Sequence, residues 1–201
     1  MATSAPLPSN RPFSILFVCT GNLCRSPIAE TVLASELNSL WPAGTPGSWD
    51  VGSAGTHAAS ERRMDPSALE VLAETGYDGR AFRSRPLTAD VIIRSDLILT
   101  AERRHRTEVV TAVPAALHYT FTLTQFAVLA RGVPGLEAVT PPEQGFELRD
   151  AALAQRGRVQ PVPSQQEDIP DPIGKPHAQF RECRDQIRRA IHDILLPIRQ
   201  N

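Results

Sequence analysis

Cys19 and Arg25 sit at the two ends of the run Cys19-Thr20-Gly21-Asn22-Leu23-Cys24-Arg25, near the amino end of a 201-residue chain. A thiolate that attacks phosphorus needs a lowered thiol pKa, a cradle for the phosphate oxygens and a fixed cation to hold charge as bonds change. This run can supply all three. The apolar stretch before Cys19 reads as a strand, and Ser26-Pro27 after it offers a helix N-cap followed by a proline at the first helical position. Between them, the backbone N–H groups of Thr20, Gly21, Asn22, Leu23, Cys24 and Arg25 can curl inward as an anion nest at a helix N-terminus. Gly21 permits a sharp turn, Asn22 tolerates a left-handed backbone, and Arg25 presents a planar fork matched to two phosphate oxygens. The Cys and Arg spacing alone recurs by chance; its strand-loop-helix setting gives it meaning.

The elements that must position this loop alternate. Phe13 to Val18 reads as a buried strand, and Ile28, Ala29, Val32, Leu33, Leu37 and Leu40 follow at helical spacing. A second strand is expected at Trp49 to Thr56, closed by Gly55, and a helix opens at Asp65-Pro66 and stops at Gly76. A third strand is expected at Asp96 to Thr100, with a charged helix from Ala101 to about Val110 that carries Arg103, Arg104, His105 and Arg106. That cluster reads as a solvated helix face. Beyond Val113 the pattern weakens to a strand near Leu117 to Phe121 and a helix near Thr124 to Arg131. A final helix from His177 places Phe180, Cys183, Ile187, Ile191, Ile194 and Leu195 on one face. The alternation predicts an α/β fold with a mainly parallel sheet.

One domain is expected over residues 12–201, after a flexible tail at 1–11. The stretch from about 132 to 167, dotted with Gly, Pro and Gln, reads as an insertion before the last helix. It has room for a helix around Phe146 to Gln155, with irregular chain at Pro161 to Gln166. Lys and Arg total 21 against 22 Asp and Glu, a net charge of −1, so the broad basic surface of a nucleic-acid binder is not expected. The cysteines are Cys19, Cys24 and Cys183, an odd set that fits reduced thiols in the cytoplasm rather than a secreted disulfide scaffold. No apolar run approaches the length of a membrane span and the amino end lacks a signal-peptide pattern, so no membrane insertion is expected. The histidines at 57, 105, 118, 177 and 192 lack ligand spacing, and neither a metal nor another cofactor is expected.

The run Ile15 to Glu30 closely resembles the signature of the low-molecular-weight protein tyrosine phosphatases. The resemblance continues, in family order, in Ser53-Ala54-Gly55-Thr56, Asp65-Pro66-Ser67-Ala68-Leu69, Ser84-Arg85-Pro86-Leu87 and Asp96-Leu97-Ile98-Leu99. It implies a four-stranded parallel sheet flanked by helices, with Cys19 as nucleophile and Arg25 as phosphate ligand. It also implies that Ser53 bonds the loop through Asn22, that Ser26 helps hold the leaving thiolate, and that Asp171 in Ile169-Pro170-Asp171-Pro172 is the acid. The proline after Asp171 favours it over Asp168, because it stiffens the loop that aims the carboxylate.

The implied reaction is hydrolysis of phosphotyrosine in proteins through a cysteinyl-phosphate. The implied partner is a tyrosine-phosphorylated protein, such as a bacterial tyrosine kinase or a protein of polysaccharide assembly. Departures from the family pattern bear on substrate: Ile173-Gly174 replaces a pair of aromatic residues, and Phe82 stands where many relatives have histidine. Relatives specialised for phosphoarginine carry Thr at the position of Leu23, so Leu23 favours phosphotyrosine. Arsenate reduction on the same scaffold calls for a mid-sequence cysteine pair that this chain lacks. A non-catalytic phosphate-binding module would not require Cys19, Arg25 and Asp171 together. Cys24 either packs inside the loop or forms a reversible disulfide with Cys19 that protects the nucleophile, whereas Cys183 reads as a core residue. His57 is either a cleft residue or an exposed loop histidine.

Overall fold

Period-two alternation inside an apolar run means that both faces of a strand are buried, and β1 (Ser14–Cys19) is such a strand. Ile15 and Phe17 face one apolar cluster, and Leu16 and Val18 face a second one. A computed structural model of the protein describes residues 11–41, 45 and 47–199. β1 pairs in parallel with β2 (Asp50–Gly55) on one side and β3 (Leu97–Thr100) on the other, and β3 pairs in parallel with β4 (Thr120–Thr122). The sheet order is β2-β1-β3-β4, a four-stranded parallel sheet as anticipated.

Helices cover both faces. The larger cluster packs α1 (Arg25–Leu40), α2 (Pro66–Ala73), α5 (Leu123–Arg131), α6 (Pro141–Ala154) and α8 (His177–Arg199) against Phe17, Leu97, Leu99 and Phe121. The smaller one holds α3 (Ala89–Ile93), α4 (Arg103–Ala112) and a 3₁₀ turn at Pro114–His118 against Leu16, Val18 and Ile98. The chain therefore leaves β1 towards one face and β3 towards the other, although the two strands are neighbours. In an open parallel sheet the crevice outside the carboxyl ends of two such strands is where ligands bind. Cys19 ends β1 and Thr100 ends β3, so both borders of that crevice are set by topology.

Several expectations shift. The strand expected from Leu117 shrinks to Thr120–Thr122, because Pro114 opens the 3₁₀ turn. The helix α3 was not anticipated; Thr88 caps it, its hydroxyl accepting from Val91 N at 3.3 Å. The helix expected in 132–167 runs over Pro141–Ala154, with proline in its first turn, and Ser164–Glu167 forms a short helix, α7, in chain read as irregular. Phe146 of α6 meets Phe13 edge-on at 5.0 Å, and Trp49 Nε1 donates to Pro141 O at 2.6 Å. Both contacts lie at the amino ends of β1 and β2, so α6 closes the end of the sheet away from Cys19. Of the expected tail, residues 1–10 lie outside the described residues. Arg11 is anchored, its guanidinium donating to both Asp96 oxygens at 2.7 and 2.5 Å.

Candidate active site

The loop from Thr20 to Cys24 connects β1 to α1 in one tight turn, and several carbonyls along it are bonded to other segments. Cys19 O accepts from Thr56 N at 2.9 Å, Thr20 O from His57 N at 2.9 Å, Leu23 O from Asp65 N at 2.8 Å and Cys24 O from Ile28 N at 2.9 Å. Among the described residues, the amides of Gly21, Asn22, Leu23 and Cys24 donate to no other group. Four successive N–H dipoles left without a protein partner in a tight turn are the requirement for an anion nest.

Asn22 locks that turn. It adopts φ 52°, a left-handed value that few residues other than glycine accept, and it is fully buried. Its Nδ2 donates to Ser26 Oγ at 2.9 Å and to Ser53 Oγ at 2.7 Å, and its Oδ1 accepts from Arg85 N at 2.9 Å. Three elements are thereby pinned by one amide. Ser53 Oγ in turn donates to Glu30 Oε2 at 2.5 Å. Burial pushes the Glu30 carboxyl above the usual carboxylate range, against the pull of that Ser53 bond. Gly55 completes the support: a Cβ there would stand 2.5 Å from Thr20 O and 2.8 Å from Asn22 N, so only glycine lets β2 approach the loop.

Cys19 is 2% exposed, and its Sγ lies 3.0 Å from Ser26 Oγ. Ser26 Oγ already accepts from Asn22, so its own proton is free for the sulfur. Cys24 points elsewhere. It lies in the core against Cys183 of α8, and contact with that thiol together with burial pushes the Cys24 thiol up, towards the neutral form. All three cysteines are free thiols.

Arg25 begins α1, yet its side chain is 2% exposed. Its Nη1 donates to Glu102 Oε1 and to Ile169 O at 3.2 Å, and its Nη2 lies 2.8 Å from Asp171 Oδ2. The structure thus brings Asp171 to the phosphate loop from 146 positions downstream. Ile169 N donates to Ala101 O at 2.8 Å, seating the loop that carries Asp171 on the end of β3. Asp168, the alternative acid, is used differently: it accepts from Arg103 N at 2.8 Å and from the Arg103 guanidinium at 3.3 Å. Burial alone would raise its pKa, but the Arg103 bonds outweigh that and hold it below the usual range.

The Arg103 to Arg106 cluster, read from sequence as a solvated face, divides. Arg103 and Arg104 are exposed, but His105 is wholly buried, its Nε2 2.9 Å from Thr20 Oγ1. Arg104 Nη2 donates to the same Thr20 oxygen at 3.0 Å. Glu102 bridges Arg25 and Arg104; burial pushes its carboxyl up, and the two guanidiniums more than reverse that. Glu102, Arg104 and His105 belong to the site and were missed, because a run of charges carries no sign of which side chain turns inward. His57 is an exposed loop residue, 71% accessible at its side chain, with Nδ1 3.0 Å from Thr56 Oγ1. Phe82 packs half-buried on the core.

Comparison with known proteins agrees with this geometry. Residues 14–133 match the family model for low molecular weight phosphotyrosine protein phosphatases. The chain is 35% identical, over 67% of its length and 87% of the relative's, to a probable low molecular weight protein-tyrosine-phosphatase, EpsP, of Ralstonia nicotianae. It is 31% identical, over 90% of its length and 92% of the relative's, to a protein-arginine-phosphatase of Geobacillus stearothermophilus. The solved YwlE arginine phosphatase of Geobacillus stearothermophilus superposes with a TM-score of 0.66 at 30% identity, covering 94% of each chain. The fold of a tyrosine phosphatase, amsI, from Erwinia amylovora is shared at a TM-score of 0.66 and 23% identity, over 96% of this chain and 97% of that one. A loop built from a buried cysteine, a pinned asparagine and a buried arginine, on a sheet shared with these proteins, places the chain in the low-molecular-weight protein tyrosine phosphatase family.

Proposed function

We propose that Cys19 is the nucleophile, Arg25 the phosphate clamp and Asp171 the acid and base of a phosphatase acting on phosphotyrosine in proteins. The observation that carries this reading is the 2.8 Å contact between Asp171 Oδ2 and Arg25 Nη2, which sets a carboxyl group beside the loop that holds Cys19. In the first step the Cys19 sulfur attacks phosphorus. The bond to the leaving oxygen breaks, and Asp171 gives that oxygen its proton. In the second step Asp171, now a carboxylate, takes a proton from water as that water attacks phosphorus, and the Cys19 thiolate departs. Ser26 Oγ, with its proton free for sulfur, supports the thiolate in both steps. The amides of Thr20, Gly21, Asn22, Leu23 and Cys24 hold the phosphoryl oxygens. Arg25 adds its fork, whose Nε is buried without a partner among the described residues.

For substrate, the half-exposed Leu23 presents an apolar edge to the group carrying the phosphate, which suits an aromatic ring. Phosphoarginine is the second reading, favoured by the 31% identity to a protein-arginine-phosphatase over 90% of this chain. Ile173, beside the acid and 44% exposed, offers less ring contact than an aromatic residue would. The proposed partner is a tyrosine-phosphorylated protein in the cytoplasm, a bacterial tyrosine kinase or a protein of polysaccharide assembly. Among the described residues no helix is long and apolar enough to cross a membrane.

The purified protein should hydrolyse p-nitrophenyl phosphate, and Cys19→Ser should abolish that activity. A wild-type protein without turnover would overturn the reading. Phosphotyrosine and phosphoarginine peptides compared side by side decide the substrate: equal or faster release from phosphoarginine would reject the preference drawn from Leu23.

A further inference from the structure

His105 differs from the charged residues around it. It lies in the first turn of α4, is 0% exposed, and directs Nε2 to Thr20 Oγ1 at 2.9 Å. Thr20 follows the nucleophile directly. Its hydroxyl is also approached by both guanidiniums at the site, Arg104 Nη2 at 3.0 Å and Arg25 Nη2 at 3.5 Å. A hydroxyl rotates freely unless a partner fixes it, and a fixed one orients whatever else it bonds. The ring is suited to that task because it stays uncharged. Burial lowers the His105 pKa to about 4, with the pull of Glu102 and Glu108 opposed by Arg25 and Arg104. A protonated ring would instead set a third cation beside the two guanidiniums.

We propose that His105 is a positioning residue that acts through Thr20, fixing the threonine hydroxyl so that it holds the Arg25 and Arg104 guanidiniums at the mouth of the phosphate loop. The inference rests on the reading of Arg25 as phosphate clamp.

Two substitutions separate positioning from packing. His105→Phe keeps the ring volume and removes the polar edge. His105→Gln loses the ring and keeps an amide that can reach Thr20. With p-nitrophenyl phosphate as substrate and inorganic phosphate as competitive inhibitor, His105→Phe should lower kcat/KM about tenfold, the size of one functional hydrogen bond, and weaken phosphate inhibition. His105→Gln should stay within about threefold of wild type on both measures. Thr20→Val should reproduce the His105→Phe defect, and the double variant should be no worse than either single one.

A His105→Phe enzyme within about threefold of wild type, or a His105→Gln enzyme worse than His105→Phe, would overturn the proposal. So would additive losses in the double variant. If His105→Phe does not fold, as thermal melting would reveal, the half-buried Thr20→Val decides alone, and unchanged kcat/KM there overturns the proposal. Arg25→Lys is the control on the underlying reading. If it stays fully active, the clamp assignment fails; if it is inactive while His105→Phe is normal, only the positioning role fails.

Discussion

The loop from Cys19 to Ser26 and the loop from Asp168 to Asp171 meet at the same crevice but are held in opposite ways. Between Cys19 and Ser26 the side chains are tightly bonded, with Asn22 joined to Ser26, Ser53 and Arg85, the carbonyls of Cys19, Thr20 and Leu23 accepting from neighbouring segments, and Gly55 in close contact behind. The loop from Asp168 to Asp171 rests on Ile169 N to Ala101 O, on Asp168 to Arg103, and on the ion pair of Asp171 with Arg25. The Asp171 side chain remains 41% exposed, against 2% for Arg25. The two tasks differ in the same sense. A cradle for developing charge works by being in place before the reaction, so its cost of ordering is met at folding. A group that hands a proton to a leaving oxygen and then takes one from water must stay within reach of solvent. Strength of bonding here follows the role proposed for each loop.

Breaking the acid side should have the largest kinetic effect. Asp171→Asn should lower kcat by about a hundredfold or more while inorganic phosphate still inhibits as in wild type, and Asp168→Asn should change kcat by less than about threefold. The reverse ranking would move the acid to Asp168. The cradle should break differently, in stability as well as rate. Asn22→Ala removes three bonds and places a residue without a polar side chain at φ 52°. A loss of about 2 kcal/mol or more follows, read as a melting temperature lower by about 5 °C. Unchanged melting would mean that the loop is not prearranged by Asn22.

The smallest expected effect concerns the wall behind Thr20. The His105 pKa is depressed from 6.5 to about 4 in the folded chain. The unfolded chain therefore takes up a proton first as pH falls, and the stability associated with the neutral ring is complete above about pH 6.5 and lost towards pH 4. Melting temperatures of wild type should decline across that window more steeply than those of His105→Phe. Parallel curves would show that the ring titrates as in the unfolded chain.

Legibility followed locality. β1, the phosphate loop and α1 form one contiguous unit, and periodicity, Gly21, Asn22 and Ser26-Pro27 described it to within a residue or two. Strand β1 extends through Cys19 rather than stopping at Val18, which leaves the proposed nucleophile on the rigid end of the sheet. The helix α8 was equally clear, since its apolar residues recur at helical spacing. The stretch from Leu117 to Phe121 reads as strand because its apolar residues suit one, yet Leu117 is 42% exposed on a 3₁₀ turn. In that short run, the turn opened by Pro114 decided against strand propensity.

The amino-acid sequence by itself determined the alternating α/β plan and the loop from Cys19 to Arg25, and it singled out Asp171 as the candidate acid proposed above. Each of these depends on neighbours in the chain or on a motif with its own backbone logic. The tertiary structure alone decided which charges face inward. Glu102, Arg104 and His105 gain their roles because β3 lies beside β1 and sends its helix to the opposite face, which turns the start of α4 towards Thr20 and Arg25. It also decided that Cys24 meets Cys183 rather than solvent. Such contacts join residues about eighty to one hundred and sixty positions apart, a distance over which no local spacing rule extends and only the packing of strands and helices brings side chains together.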